Sequence, residues 1–420
     1  MIDFEIVNAD CLEHLATLEA DSVDAIVSDP PYGLSFMGKG WDHSVPGPEY
    51  FAAQLRVAKP GAHLVAFGGT RTYHRLACAI EDAGWEMRDC LMWLYGSGFP
   101  KSHDVSKGID AAAGAEREVV GPPTRHAGQS YQWAGDVRHP ATDAAKQWDG
   151  WGTALKPAWE PIILARKPLA GTVAANVLEH GTGAINVDEC RIGTDDGTRN
   201  RPPAKPSATT YAQDAWTADP NNHEPFEAAG KGRWPANVLL DPEAAAALDK
   251  QSGERPAGNV PAVTGARAVY GGLSGHKSEP RSMGDSGGAS RFFYCAKASR
   301  SEREAGLENF TAVAPTEITG RKPGSAGHQT PYAGMTGEAP RRNTHPTVKP
   351  IELMQWLCRL VTPPGGLILD PFCGSGTTGC AAVREDMRFL GIELDPGHAA
   401  IARARVEHHA REPRQMELFT

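Results

Sequence analysis

The sequence predicts an α/β protein: a largely parallel sheet with helices on both faces, interrupted by a long loop-rich insertion. Seven short apolar runs alternate with helical stretches, the pattern of parallel strands joined by crossovers. A glycine loop, Gly374-Ser-Gly376-Thr-Thr-Gly379, lies between a strand and a helix. Glycine (46) and proline (33) make up about a fifth of the 420 residues, well above the usual ~12%.

Taken in order, residues 4–8 read as a strand that ends at Asn8, Ala9, Asp10, and a short helix follows from about Cys11 to Leu18. Residues 24–28 are a second buried strand, cut short by Asp29-Pro-Pro-Tyr32, because neither proline can donate to a ladder. A Gly-rich loop runs from Gly33 to Pro48, and residues 49–58 are helical. A turn at Lys59-Pro-Gly61 leads to a strand at His63–Phe67, then to a helix from about Thr70 to Ala83, stopped by Gly84. Residues 85–94 and 161–166 are two further apolar runs. From about 169 to 343 regularity fades, with islands at Val173–Leu178, Ala184–Val187, Trp234–Leu240 and Arg291–Lys297. Order returns with an amphipathic helix over 350–361, opened by Pro350. The last two strands are Leu367–Leu369 and 388–392, each followed by a helix. Three parts result: 1–168, the loop-rich 169–343, and 344–420.

The totals exclude some classes of protein. No apolar run approaches the roughly 18 residues of a membrane span, and the acidic start lacks a signal peptide's basic and apolar regions. The eight cysteines form no CxxC pair and no zinc spacing, so no metal site is expected and the thiols read as reduced, in a cytoplasmic protein. The net charge of −9 does not advertise nucleic-acid binding. It is uneven, however: residues 1–60 hold 3 Lys/Arg against 10 Asp/Glu, whereas residues 251–350 hold 13 against 8. A basic segment of that kind can grip phosphates locally.

Two stretches carry chemistry. Asp29, Pro30, Pro31 and Tyr32 place a carboxylate and a flat ring on a stiff loop at a strand's carboxyl end, where open α/β sheets bind ligands. That combination suits a planar base bearing an amino group. The glycine loop fits GxGxxG, with Glu393 lying 19 residues after Gly374, which could serve a nicotinamide dinucleotide. The loop opens on Asp370, however, where a pyrophosphate would prefer no acid. An acid there suits a cationic adenosine ligand such as S-adenosylmethionine, with Glu393 on its ribose.

Asp29-Pro-Pro-Tyr32, His345-Pro-Thr-Val-Lys-Pro350 and Asp370-Pro-Phe-Cys-Gly-Ser-Gly-Thr-Thr378, in that order, resemble the β class of amino-methylating DNA methyltransferases. The resemblance covers roughly residues 1–170 and 343–420. It implies a seven-stranded, circularly permuted Rossmann-like methyltransferase sheet with one antiparallel strand and an inserted target-recognition region. Leu367–Leu369 and Phe389–Ile392 would be the first two strands, Ile6–Asn8 the third, and the strand closed by Asp29 the fourth. The implied cofactor, S-adenosylmethionine, would meet Asp10, Cys11, Asp29, Asp370, Phe372, Gly374, Ser375, Gly376, Thr377, Thr378, Glu393, Leu394 and Asp395. His345, Thr347 and Lys349 would lie over its methionine part. Asp29 and the Pro30 carbonyl would accept hydrogen bonds from the target amine, and Tyr32 would stack on a flipped base. Asp rather than Ser before Pro-Pro-Tyr resembles the members that methylate adenine N6; cytosine N4 stays open. A DNA-binding relative without activity is the alternative of another class. No Pro-Cys dipeptide occurs, which argues against cytosine C5 chemistry.

The expected partner is double-stranded DNA, in a bacterial cell and associated with its nucleoid. Lys39, Trp41, Arg291, Lys297 and Arg300 are candidates for contact with it. The terminal Gln415-Met-Glu-Leu-Phe419 resembles peptides that dock on the bacterial replication sliding clamp. A cognate restriction endonuclease and a homodimer are compatible with the resemblance, and neither is encoded in a motif.

Overall fold

The structure, a computed structural model, describes residues 3–34, 42–96, 98, 102–121, 137–193, 232–256, 267–269, 272–274, 286–296, 301–314, 317–318 and 340–411. Lys39, Trp41, Lys297, Arg300 and the Gln415–Phe419 tail lie outside these residues.

Among the described residues, nine strands form the main sheet: β1 (Phe4–Asn8), β2 (Val23–Ser28), β3 (Ala58–Phe67), β4 (Glu86–Leu94), β5 (Trp159–Arg166), β6 (Val238–Leu240), β7 (Tyr294–Cys295), β8 (Leu367–Asp370) and β9 (Arg388–Glu393). Their order across the sheet is β1-β9-β8-β2-β3-β5-β4-β6-β7. Among the described strands of this sheet, only β5 runs antiparallel to its neighbours. The C-terminal β8 therefore sits between β9 and β2, with Ile368 facing Phe389 on one side and Ala25 on the other. This is the permuted order that the resemblance implied.

The strand count differs from seven. β6 pairs with β4, and β7 with β6, both parallel. These two come from the inserted region and cover what would otherwise be a bare edge on β4, which would be open to unwanted pairing.

The strands are apolar without interruption because both faces are covered. Ala25, Val27, Val65, Phe67, Ile162 and Ile368 join one core, whereas Ile26, Leu64, Ala66, Ile163 and Leu369 join the other. On the first face lie α8 (Ile351–Val361), α9 (Thr377–Arg384) and α10 (Pro396–Arg411). The second is covered by α1 (Cys11–Thr17), α2 (Pro48–Val57) and α3 (Tyr73–Asp82), through Leu15, Phe51, Val57, Leu76 and Ile80. α4 (Val105–Ala112) and α5 (Asp143–Gln147) pack together through buried Asp110, whose carboxylate accepts from Arg117, Ala141 and Thr142.

The inserted region is tied to the sheet in several places. In α6 (Val173–His180), buried Asn176 donates to the carbonyls of Pro60 (2.8 Å) and Thr182 (2.7 Å). Trp356 of α8 donates to the Cys190 carbonyl at 3.3 Å. α7 (Pro242–Ser252) is capped by Asp241, which also accepts from the Gly96 N–H. Among the described residues no helix is long and apolar enough to cross a membrane.

Candidate active site

The carboxyl ends of β8, β2, β9 and β1 open on one cleft of about 1750 Å³. Its volume exceeds the ~300–1,000 Å³ of a typical small-molecule site. The two sequence motifs meet here. The Ser28 hydroxyl, at the end of β2, donates to Asp370 Oδ1 at 2.6 Å across 342 residues of chain.

Asp370 is 2% exposed. Besides Ser28, it accepts from Thr378 (2.6 Å) and from the Phe372 N–H (3.1 Å). Burial pushes its carboxyl up to about 6, and the hydrogen bonds oppose that rise. Its role in this structure is to clamp β2, β8 and the start of α9 together beneath the glycine loop.

The loop's glycines divide the work. Gly374 has φ +54°, and a Cβ there would come 2.8 Å from His345 Nε2; its N–H donates to Glu393 Oε2 at 2.8 Å. Gly376 was expected on the cofactor, but it does not line the cleft. A Cβ on it would meet Ala402 Cα of α10 at 2.9 Å, so close helix packing is what requires glycine. Beneath the loop lies Arg405, fully buried, which donates to the Ser375 carbonyl (2.6 Å), the Ser375 hydroxyl (3.1 Å) and the Thr377 hydroxyl (3.3 Å). It also reaches the Glu302 carbonyl at 3.3 Å, joining the inserted region to the loop.

Around this loop the cleft is lined by Asp10, Cys11, Tyr50, Phe372, Ser375, Thr377, Thr378, Glu393, Leu394 and Asp395. Asp10 caps α1 through the Leu12 and Glu13 N–H groups. Asp395 accepts from the His398 N–H at the start of α10. Glu393 accepts from Gly374 and Asp395, and burial raises its carboxyl. The rings of Tyr50 and Phe372 lie 6.0 Å apart, and Tyr50 has no sequence motif of its own. Burial, then Asp10, pushes the Cys11 thiol up to about 12, and burial also drives the Cys373 thiol well up. Both thiols therefore stay protonated at neutral pH.

The second cluster is built on Asp29. Its Oδ1 accepts from the Tyr32 hydroxyl at 2.8 Å, and its Oδ2 from Lys349 Nζ at 2.7 Å. Glu160, at the start of β5, completes the set: its Oε2 is 3.1 Å from the Tyr32 hydroxyl and 3.3 Å from Lys349 Nζ. Lys349 also lies over the rings of Phe67 (4.8 Å) and Tyr32 (5.4 Å). Burial would lower the Lys349 ammonium, but Asp29 and Glu160 outweigh it and the net shift is upward. Burial, with Asp29 and Glu160 beside it, drives Tyr32 far up, so its hydroxyl keeps its proton. Pro30 and Pro31 line the same wall, and Gly69 leaves room for the Tyr32 ring: a Cβ there would sit 3.3 Å from Tyr32 Cδ2.

The His345–Lys349 segment is thus divided differently from the sequence expectation. Lys349 is directed to Asp29, because its ammonium lies over the Phe67 ring and two carboxylates draw it. His345 stands over Gly374 with its edge against His398, the ring centres 4.7 Å apart. Its Nδ1–H donates to the Thr347 carbonyl at 2.6 Å, since a carbonyl can only accept. Burial, and then His398, lowers its imidazole to about 4.

Arg291 is not brought to the cleft. Its guanidinium donates to the carbonyls of Gly287, Gly288 and Arg255 and lies over the Phe292 ring. Arg71 and Lys156, which no motif marked, line the cleft instead. The base of the 33–45 loop is pinned by Asp42, which accepts from the Gly33 and Leu34 N–H groups.

A parallel sheet with one reversed strand, opening at its carboxyl edge on a glycine loop and a row of acids, defines a Rossmann-like fold with a cleft for a nucleotide-bearing ligand. The DNA methylase family profile matches residues 23–404, and the chain belongs to that family. Among curated proteins it is similar to Type II methyltransferase M.HindIII of Haemophilus influenzae, 24% identical over 230 residues, covering 44% of this chain and 65% of that protein. It is also similar to Type II methyltransferase M2.DpnII of Streptococcus pneumoniae, 48% identical over 63 residues, covering 15% of this chain and 24% of that protein. The chain therefore spans less than two thirds of either relative's length. Among solved structures, the M1.HpyAVI–SAM complex superimposes with a TM-score of 0.39 at 14% identity, covering 96% of this chain and 98% of that one. The cytosine-N4-specific PvuII DNA methyltransferase superimposes with a TM-score of 0.40 at 13% identity, covering 96% and 86%.

Proposed function

We propose that this protein transfers a methyl group from S-adenosylmethionine to the exocyclic N6 amino group of adenine in double-stranded DNA. The observation that carries the reading is the junction of the two motifs: the Ser28–Asp370 hydrogen bond sets the Asp29 wall and the glycine loop in one cleft. The residues fit this cofactor. Asp10, Asp29, Asp370, Glu393 and Asp395 give the cleft the acid-rich lining that suits a cationic ligand, and Tyr50 with Phe372 offers flat apolar surface for an adenine. Gly374 keeps backbone open beside Glu393, a ready acceptor for ribose hydroxyls. The cofactor, when bound, supplies an electrophilic methyl on a sulfonium.

The chain's own residues then have a defined task. A paired adenine hides its amino group, so the base must leave the stack, at a cost of a few kcal/mol. Tyr32 and the Pro30–Pro31 wall receive the ring. The amino nitrogen is a poor nucleophile, because its lone pair is delocalised into the ring. Asp29, accepting an N–H, favours a pyramidal nitrogen and stabilises the positive charge that develops on it. Both cleft cysteines stay protonated, in keeping with direct transfer rather than thiolate attack. The loop-rich 169–343 region is proposed to read the DNA sequence, with Arg71 and Lys156 near the cleft as phosphate partners.

Single-molecule sequencing of DNA from a bacterial host expressing the chain tests this reading, with Asp29→Ala as the control. A modified adenine in a defined sequence context, lost in the variant, is expected. Unmodified DNA would sink the reading, and modified cytosine would move it to N4.

A further inference from the structure

Asp29 does not stand alone in the cleft. Lys349 Nζ, 2.7 Å from Asp29 and 9% exposed at its side chain, would by itself cancel the carboxylate's charge. A neutral pair is poorly suited to an amine that becomes cationic as it accepts a methyl group. Glu160 changes the balance: two carboxylates against one ammonium leave a single net negative charge beside the reacting nitrogen. Glu160 also gives Lys349 somewhere to go, because its Oε2 is already 3.3 Å from the ammonium while the target N–H competes for Asp29. The Glu160 side chain is 23% exposed and follows Trp159 in β5, so its carboxylate reaches the cleft from the sheet.

We propose that Glu160 is a positioning residue for methyl transfer, holding Lys349 so that Asp29 keeps its negative charge toward the target amine. The inference rests on the methyltransferase reading above and deepens it. No new bond is made by Glu160; it acts through Lys349 and Tyr32.

The test uses the full chain, S-adenosylmethionine carrying a labelled methyl, and duplex DNA bearing the sequence found modified in the host. Four proteins are compared: wild type, Glu160→Gln, Lys349→Met and the double variant. Glutamine keeps an oxygen for the Tyr32 hydroxyl and nearly the same volume, so thermal unfolding and S-adenosylmethionine affinity should stay close to wild type. The expected result for Glu160→Gln is a fall in kcat of about 10- to 100-fold, the effect of one unit charge at this range in a partly buried site. In the double variant the carboxylate of Asp29 is again uncompensated, so at least about tenfold of that loss should return. A structural role would predict the opposite, since two changes in one cluster would do more harm than one. Unchanged kcat in Glu160→Gln overturns the inference, as does a double variant no faster than Glu160→Gln. Wild-type protein that transfers no methyl in the same assay would instead overturn the methyltransferase reading itself.

Discussion

Replacing Gly374 by alanine tests how the cofactor loop is built. At φ +54° an alanine pays roughly 1–2 kcal/mol for the left-handed conformation. Its Cβ would also lie 2.8 Å from His345 Nε2, closer than real contacts allow. The imidazole cannot easily retreat, because Nδ1 is bonded to the Thr347 carbonyl at 2.6 Å and the ring edge meets His398. The loop must move instead, and the 2.8 Å bond from the Gly374 N–H to Glu393 is strained or lost, at about 1 kcal/mol more. The total is about 2–3 kcal/mol in stability. Gly365→Ala is the matched control: φ is +70°, but nothing lies within 4 Å of its Cβ, so only the conformational cost applies. Urea denaturation and calorimetric titration with S-adenosylmethionine should therefore separate the two variants. Gly374→Ala should be at least 1 kcal/mol less stable than Gly365→Ala and bind about tenfold more weakly. Adding His345→Ala to Gly374→Ala should restore part of the stability. If the two glycine variants unfold and bind alike, the close approach of His345 is not what requires glycine.

Two further predictions concern buried charge. Asp370 titrates at about 6, against 3.8 for an ordinary aspartate. The folded protein therefore holds a proton that the unfolded chain has released, and stability should fall as pH rises through that window, by about 3 kcal/mol at most. Asp370→Asn lacks this titration, so the stability difference between wild type and variant should shift against wild type from pH 4 to 6.5; a constant difference across that range would contradict the burial argument. Arg405→Met removes three hydrogen bonds beneath the loop and strands the Ser375 carbonyl, for an expected loss of about 2–3 kcal/mol and weaker cofactor binding, both measurable in the same titrations.

The core strands could be read in the sequence because a sheet covered on both faces makes short, fully apolar runs, such as Ala25–Val27 and Leu367–Leu369. The motifs marked Asp29 and Gly374 because a strand end and a tight loop need those residue types. The order of the strands came from the resemblance, since no local pattern says that β8 lies between β9 and β2. β6 and β7, with three and two residues, are too short to show a period. Glu160 and Arg405 were missed for a different reason. A glutamate at a strand start and an arginine in a helix look like surface residues until the chain brings a lysine or a glycine loop against them. Lys349 is marked by its motif as a site residue, but its bond to Asp29, 320 residues away, is fixed by tertiary packing and has no local signal. Gly376 shows the same limit: the motif marks a glycine, and only the position of α10 explains it.

Methyl transfer to adenine can be read directly by chemistry. Purified protein is incubated with S-adenosylmethionine labelled at the methyl group and with unmethylated genomic DNA, and the DNA is digested to nucleosides for mass spectrometry. Label in N6-methyladenine is expected, and it is lost with Asp29→Ala. Label in no nucleoside, or equal labelling by the Asp29→Ala protein, would contradict it.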